Sequence, residues 1–263
     1  MIKVNGAVIE QNRFPDGTLL LKTEDIDKGS YYNPVSIEWF YEDDSELFTI
    51  ICLAKKVRRK ILYLPYIPHA RQDRVKGKSD TFTLKYFAEI INSLGFEHVH
   101  VLDPHSNVST ALLDRVIVET PQQYIEETVL HHLRHLSNLI MFFPDEGSMK
   151  RYSNMLKLQY AFGLKKRDWE TGQIQGLDII HNGIDLKGKN ILIIDDICSR
   201  GGTFYHSAKK LKELGAANIY LYVTHCENTI LEGEVLTSGL VEKVFTTNSI
   251  FTKKHEKVEV IEL

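Results

Sequence analysis

Asn190-Ile191-Leu192-Ile193-Ile194-Asp195-Asp196-Ile197-Cys198-Ser199-Arg200-Gly201-Gly202-Thr203 is the stretch on which the fold turns. Four consecutive Ile and Leu residues, preceded by Lys187-Gly188-Lys189, predict a short strand buried on both faces, the signature of a parallel sheet. Two carboxylates close the run and small polar residues follow. Residues 204–214 (FYHSAKKLKEL) then take up helical spacing and stop at Gly215. Strand, loop and helix in that order form half of a βαβ unit.

The same alternation recurs on both sides. Apolar runs at 60–65 (KILYLP), 98–102 (HVHVL), 139–143 (LIMFF) and 219–224 (IYLYVT) predict further buried strands. Residues 83–94 (TLKYFAEIINSL) put Leu84, Phe87, Ile90, Ile91 and Leu94 on one stripe, with Gly95 as the stop. Strands alternating with amphipathic helices predict an α/β protein with parallel sheets. A looser stretch near 121–137 separates two such halves, so the chain is expected to divide into residues 1–128 and 129–263.

Composition narrows the functions. Lys plus Arg number 32 and Asp plus Glu 35, a net charge of −3, so no basic surface argues for nucleic acid. Twelve Tyr, twelve Phe and two Trp supply apolar area for a core and exclude a disordered chain. Cys52, Cys198 and Cys226 show no CxxC spacing, which points to a reducing compartment rather than a disulfide framework. The opening residues lack a signal-like apolar run, and no segment has the ~20 apolar residues of a membrane span. A cytoplasmic protein with no membrane partner is expected.

The chemistry concentrates at strand ends, where open α/β sheets bind ligands. After Asp195 and Asp196, Gly201 and Gly202 allow close backbone approach to an anion, Ser199 and Thr203 add hydroxyls, and the next helix presents free N–H groups. That combination suits a phosphate monoester. The two carboxylates suit vicinal sugar hydroxyls or a hydrated Mg²⁺. By contrast, residues 183–190 satisfy GxxxxGK but precede a strand and lack Ser or Thr after the Lys, so they read as a turn. Arg71-Gln72-Asp73-Arg74, Asp103-Pro104-His105 and Pro144-Asp145 each follow another predicted strand. Lys165-Lys166-Arg167 opens a polar stretch, 165–176, with little helical or strand periodicity, and reads either as a surface charge run or as a mobile cationic lid over a polyphosphate. The three histidines between 131 and 135 suit a helix face and receive no role.

Taken in order, these segments resemble the ribose-phosphate diphosphokinase family, the phosphoribosyl pyrophosphate synthetases. The likeness runs from Arg13-Phe14-Pro15-Asp16-Gly17 through Arg71–Arg74, Asp103-Pro104-His105, Pro144-Asp145 and Lys165–Arg167 to the loop ending at Thr203 and Thr247-Asn248-Ser249-Ile250. The resemblance implies two phosphoribosyltransferase-like α/β domains, each a mainly parallel sheet flanked by helices. It implies transfer of the β,γ-diphosphoryl group of ATP to the 1-hydroxyl of ribose 5-phosphate, with Mg²⁺ and release of AMP, in nucleotide biosynthesis. Residue by residue, Asp195, Asp196, Ser199, Arg200, Gly201, Gly202 and Thr203 would hold the ribose phosphate. Phe14, Asp16, Gly17, Arg71, Gln72 and Asp73 would serve ATP, the first three at a neighbouring subunit's site, so at least a dimer is implied. His105 and Asp145 would bind Mg²⁺, while Lys165 and Arg167 would be the catalytic cations.

The chain also departs from the family pattern. It is short, chiefly before Arg13. Thr18 replaces a Glu, Ser106-Asn107-Val108 follows His105 where GFF is usual, and the phosphate loop reads Cys198-Ser199-Arg200-Gly201-Gly202-Thr203. The extra Arg200 extends the expectation to a larger 5-phosphoribosyl acceptor such as ADP-ribose. A phosphoribosyltransferase sharing the loop, and a non-catalytic nucleotide-binding relative, are the alternative readings.

Overall fold

The structure, a computed structural model, describes residues 1–23, 33–75, 77–167, 174–181 and 183–263. The chain divides into two compact units, Met1–Thr120 and Pro121–Leu263. Sequence spacing alone puts the boundary at 128/129. The residues between start a helical segment whose Ile125, Val129 and Leu133 are buried in the second unit's core, which assigns them to that side.

In the first unit, Ile2–Val4 (β1), Ala7–Val8 (β2), Val35–Trp39 (β5), Lys60–Tyr63 (β6), Val99–Leu102 (β7) and Val116–Glu119 (β8) form one sheet in the order β2-β1-β5-β6-β7-β8. Gln11–Arg13 (β3) and Leu19–Leu21 (β4) make a separate hairpin. β5 to β8 are parallel, while β1 runs antiparallel to β5. The helices Glu46–Lys56 (α1), Thr83–Ser93 (α2) and Asn107–Leu112 (α3) supply the crossovers. Ile50, Leu53 and Ala54 of α1 share one cluster with Leu84, Phe87 and Ile91 of α2, over Ile37, Leu62 and Val99 of the sheet.

The second unit opens with a continuous helical segment made of Gln122–Tyr124 (α4), a π-helical turn Ile125–Leu130, and His131–Leu133 (α5). Its sheet contains Leu139–Phe143 (β9), Tyr160–Arg167 (β10), Ile174–Ile180 (β11), Asn190–Cys198 (β12), Ile219–Cys226 (β13), Lys243–Thr247 (β14) and Val258–Ile261 (β15). The order is β11-β10-β9-β12-β13-β14-β15, parallel throughout except for the β10–β11 pair. Between β9 and β10 lies Glu146–Tyr152 (α6), and between β12 and β13 lies Gly202–Glu213 (α7).

The double burial expected of the quoted strand is present. Ile191 and Ile193 pack with Phe204, Ala208 and Leu211 of α7, whereas Leu192 and Ile194 pack with Val129, Leu133 and Tyr152 on the opposite face. Each such fully buried side chain contributes about 1.5–3 kcal/mol. The GxxxxGK look-alike is a turn leading into β12, with Gly183 and Gly188 at positive φ. The polar stretch from Lys165 departs from its reading as irregular. Its first three residues continue β10 and pair with β11, Lys165 opposite Leu177 and Arg167 opposite Ile174, with a register shift between Lys166 and Arg167. A backbone ladder alone suffices for such a ribbon, so no apolar alternation announces it.

Candidate active site

The parallel order in the second sheet reverses between β9 and β12. From β9 the chain moves outward to β10 and β11; from β12 it moves the other way to β13 and β14. Connections diverging from two adjacent parallel strands leave a crevice beyond their carboxyl ends. Pro144-Asp145 leaves β9 there and Asp195–Thr203 leaves β12 there, and the two strands are directly paired, Ile193 beside Phe142.

Asp145 is the N-cap of α6. Its Oδ1 accepts from the backbone N–H of Gly147 at 3.0 Å and of Ser148 at 3.1 Å, and the Asp145 N–H in turn donates to Ser148 Oγ at 3.3 Å, completing a capping box. Asn caps as well as Asp. Asp145→Asn is therefore expected to keep the wild-type urea midpoint, whereas Asp145→Ala lowers stability by about 1 kcal/mol. An equal loss in both variants would mean that the charge, not the cap, matters to the fold.

Burial raises the Asp195 carboxyl well above the usual carboxylate range, and the nearby negative charges of Asp196 and Asp145 raise it further. The backbone N–H of Asp196 donates to Asp195 Oδ1 at 3.1 Å. Asp196 is buried, and its Oδ2 lies 3.2 Å from Nη1 of Arg151 on α6. Sequence reasoning does not single out Arg151. Its place at the basic last turn of α6 is a helix-dipole signal, and only the pairing of β9 with β12 brings it to Asp196.

Beyond Cys198 the loop turns sharply. Gly201 has φ +76 and serves as N-cap of α7, with no side chain capping the first turn. The leading N–H groups of a helix so begun are available to an anion. Gly202 and Thr203 are exposed, Ser199 is half-buried, and the exposed Arg200 guanidinium sits 3.0 Å from Glu232 Oε2.

In the first unit, the segments after β6 and β7 lie side by side. Asp73 is buried and accepts from Arg74 Nε at 2.7 Å, which holds its carboxyl below the usual range, with Ser106 and His105 adding to the effect. Asp73 and His105 are thus neighbours, as are Gln72 and α2, where Thr83 Oγ1 donates to Gln72 Oε1 at 2.7 Å. Arg71 is exposed beside them. His69 (φ 63) and Asp103 (φ 43) occupy the left-handed region at these two strand ends, a strain that concentrates at functional sites. Phe14, Asp16 and Gly17 form the tip of the β3–β4 hairpin. Asp16 accepts from the Thr18 N–H and hydroxyl, which lowers its pKa, Gly17 takes φ +84, and the Phe14 ring is exposed.

The expected residues therefore fall into separate sets: Asp145 with Asp195–Thr203 in the second unit, and Arg71–Asp73 with His105 in the first. The two expected Mg²⁺ ligands, His105 and Asp145, lie in different units. Among the described residues no three His, Cys, Asp or Glu side chains converge on a metal-sized site. The backbones of Lys165 and Arg167 are on β10; their side chains lie outside the described residues. All three cysteines are free thiols. Among the described residues no helix is long and apolar enough to cross a membrane.

Two α/β units, each a mainly parallel sheet flanked by helices, make up the fold of paired phosphoribosyltransferase-like domains. The phosphoribosyl transferase domain family matches residues 149–260. The chain is 29% identical over 257 residues to a ribose-phosphate pyrophosphokinase of Thermococcus kodakarensis, covering 93% of this chain and 86% of that one. It is 28% identical over 255 residues to the Pyrococcus furiosus protein of the same name, again covering 93% and 86%. The phosphoribosylpyrophosphate synthetase of Mycobacterium smegmatis shares the fold at a TM-score of 0.76 and 18% identity, covering 97% of this chain and 86% of that one. The chain is thus similar along most of its length to ribose-phosphate pyrophosphokinases, and its second unit carries the phosphoribosyl transferase domain match.

Proposed function

We propose that this protein is an ATP-dependent diphosphokinase that makes the 1-diphosphate of ribose 5-phosphate. The observation that carries the reading is the Asp195–Thr203 loop: two carboxylates followed by an uncapped helix start, at the strand-order reversal beside Asp145. The carboxylates suit the 2- and 3-hydroxyls of a ribose, and the free N–H groups suit its 5-phosphate. In the reaction the 1-hydroxyl oxygen attacks the β-phosphorus. The bond from that phosphorus to the α,β-bridging oxygen breaks, AMP departs with the bridging oxygen, and the hydroxyl proton passes to solvent. Positioning and charge neutralisation dominate such a transfer. Lys165 and Arg167 supply cationic charge to the transferred group, while Arg71, Gln72 and Asp73 serve ATP.

The adjacent carboxylates of Asp195 and Asp196 suit vicinal sugar hydroxyls or a hydrated divalent cation. Asp145 and His105 are the proposed ligands of Mg²⁺, which when bound neutralises polyphosphate charge. Self-association, at least to a dimer in which the Phe14–Gly17 hairpin serves a neighbour's ATP, and a cytoplasmic place in nucleotide biosynthesis complete the proposal.

Incubation with ATP, Mg²⁺ and either ribose 5-phosphate or ADP-ribose tests it. AMP is expected with ribose 5-phosphate. AMP with ADP-ribose alone changes the acceptor to a larger 5-phosphoribosyl compound, and AMP with neither removes the kinase reading.

A further inference from the structure

Glycine at 233 is not demanded by its own backbone, since φ −96 and ψ 150 suit any residue. It is demanded by the phosphate loop. A Cβ at Gly233 would stand 1.9 Å from the Arg200 carbonyl oxygen, 2.8 Å from the carbonyl carbon and 3.2 Å from the Ile230 oxygen. Two residues on, Val235 closes off the neighbouring position in the same way, since a Cβ on Gly201 would lie 2.5 Å from Val235 Cγ1. The supporting segment is firmly built. The Glu227 N–H donates to the Cys198 oxygen at 2.8 Å, a 3₁₀ turn spans Asn228–Glu232, and the short helix Glu234–Thr237 (α8) follows. Ile230, Val235 and Leu236 sink into the second unit's core.

In a trans peptide the carbonyl and the following N–H point in opposite directions. An Arg200 carbonyl seated on Gly233 therefore turns the Gly201 N–H away from the 227–237 segment. An anion loop needs its donors turned toward the ligand and its carbonyls turned away. We infer that Gly233, with Val235 beneath Gly201, is a positioning residue that fixes the orientation of the Arg200–Gly201 peptide and so selects for a 5-phosphate on the acceptor. The inference rests on the phosphate reading of the loop given above. Gly233 acts through the loop and not on the substrate itself.

Gly233→Ala and Val235→Ala, assayed for Kd of ribose 5-phosphate and for KM of each substrate, provide the test. Gly233→Ala displaces a backbone carbonyl, and a shift near 1 Å at a binding group weakens its action by roughly 10²-fold. A rise of that order in the ribose 5-phosphate Kd is expected, with the KM for ATP unchanged. Val235→Ala removes the contact under Gly201 without adding bulk, and a smaller rise, roughly 3- to 10-fold, is expected from a looser loop. A merely structural role would lower kcat through the folded fraction and leave both Kd and KM unmoved. Should Gly233→Ala fail to fold, Val235→Ala decides the matter alone. A folded variant with the wild-type Kd overturns the positioning role. Wild-type protein that binds neither ribose 5-phosphate nor ADP-ribose overturns instead the phosphate reading beneath it.

Discussion

Asp195→Asn is expected to lower kcat/KM for ribose 5-phosphate by roughly 10²-fold while raising the melting temperature. The two effects have opposite signs because one charge causes both. As an anion, Asp195 offers a ribose charge-assisted hydrogen bonds, each contributing about 1.5–3 kcal/mol. The same anion is packed against protein and lies near Asp196 and Asp145, all of which disfavour its ionised form. An amide keeps the shape and removes the repulsion. Measured by calorimetry without nucleotide or divalent cation, the variant should melt roughly 2–4 °C higher, which corresponds to about 1 kcal/mol in a chain of this size. Such an exchange of stability for function is expected where a site holds groups that the fold alone would not choose. Wild-type kcat/KM in the variant would remove Asp195 from sugar binding. A lower melting temperature would show that its charge is well accommodated.

Lys165→Ala should have the larger effect on turnover, a loss of about 10³-fold or more, with an unchanged urea midpoint. Little covalent work falls to the protein in diphosphoryl transfer, so cations that act on the transferring group carry much of the barrier lowering. Lys165 lies on the outer part of β10. The inner part, Tyr160–Phe162, is paired with β9, while Lys165–Arg167 pair with β11. Two-stranded ribbons contribute little to global stability, which is why the midpoint should hold. Arg167→Ala should lower turnover as well, and the double variant should lose less than the product of the two single losses, because groups acting as a unit are not additive. Full activity in Lys165→Ala would remove it from the mechanism.

The elements most legible in the sequence were those with strong apolar runs. β6, β9, β12 and β13 each carried a continuous aliphatic or aromatic run, β7 an apolar run broken only by His100, and α2 and α7 an apolar stripe closed by Gly95 or Gly215. Less legible were β8, β14 and the β10–β11 ribbon. β8 lies at a sheet edge with Ile117 and Val118 exposed, so burial imposes no clean pattern on it. The loop from Asp195 to Thr203 was legible because its composition is local: carboxylates, hydroxyls and glycines contiguous between a strand and a helix. Arg151 and Gly233 were not legible. The first reaches Asp196 only through the pairing of β9 with β12, and the second is glycine because a carbonyl 33 positions earlier leaves no room for a Cβ.

The sequence by itself determined that β12 is buried on both faces, that its two carboxylates end it, and that a loop rich in glycine and hydroxyls and then a helix follow. Those features depend on neighbours within one turn of chain, where hydrophobic spacing and the missing Cβ of glycine act directly. Only the tertiary structure decided that this loop stands at the reversal of strand order, beside the cap of α6 and against Gly233. Strand order and the packing of remote segments depend on which faces are buried together, and that pairing leaves no trace in local spacing.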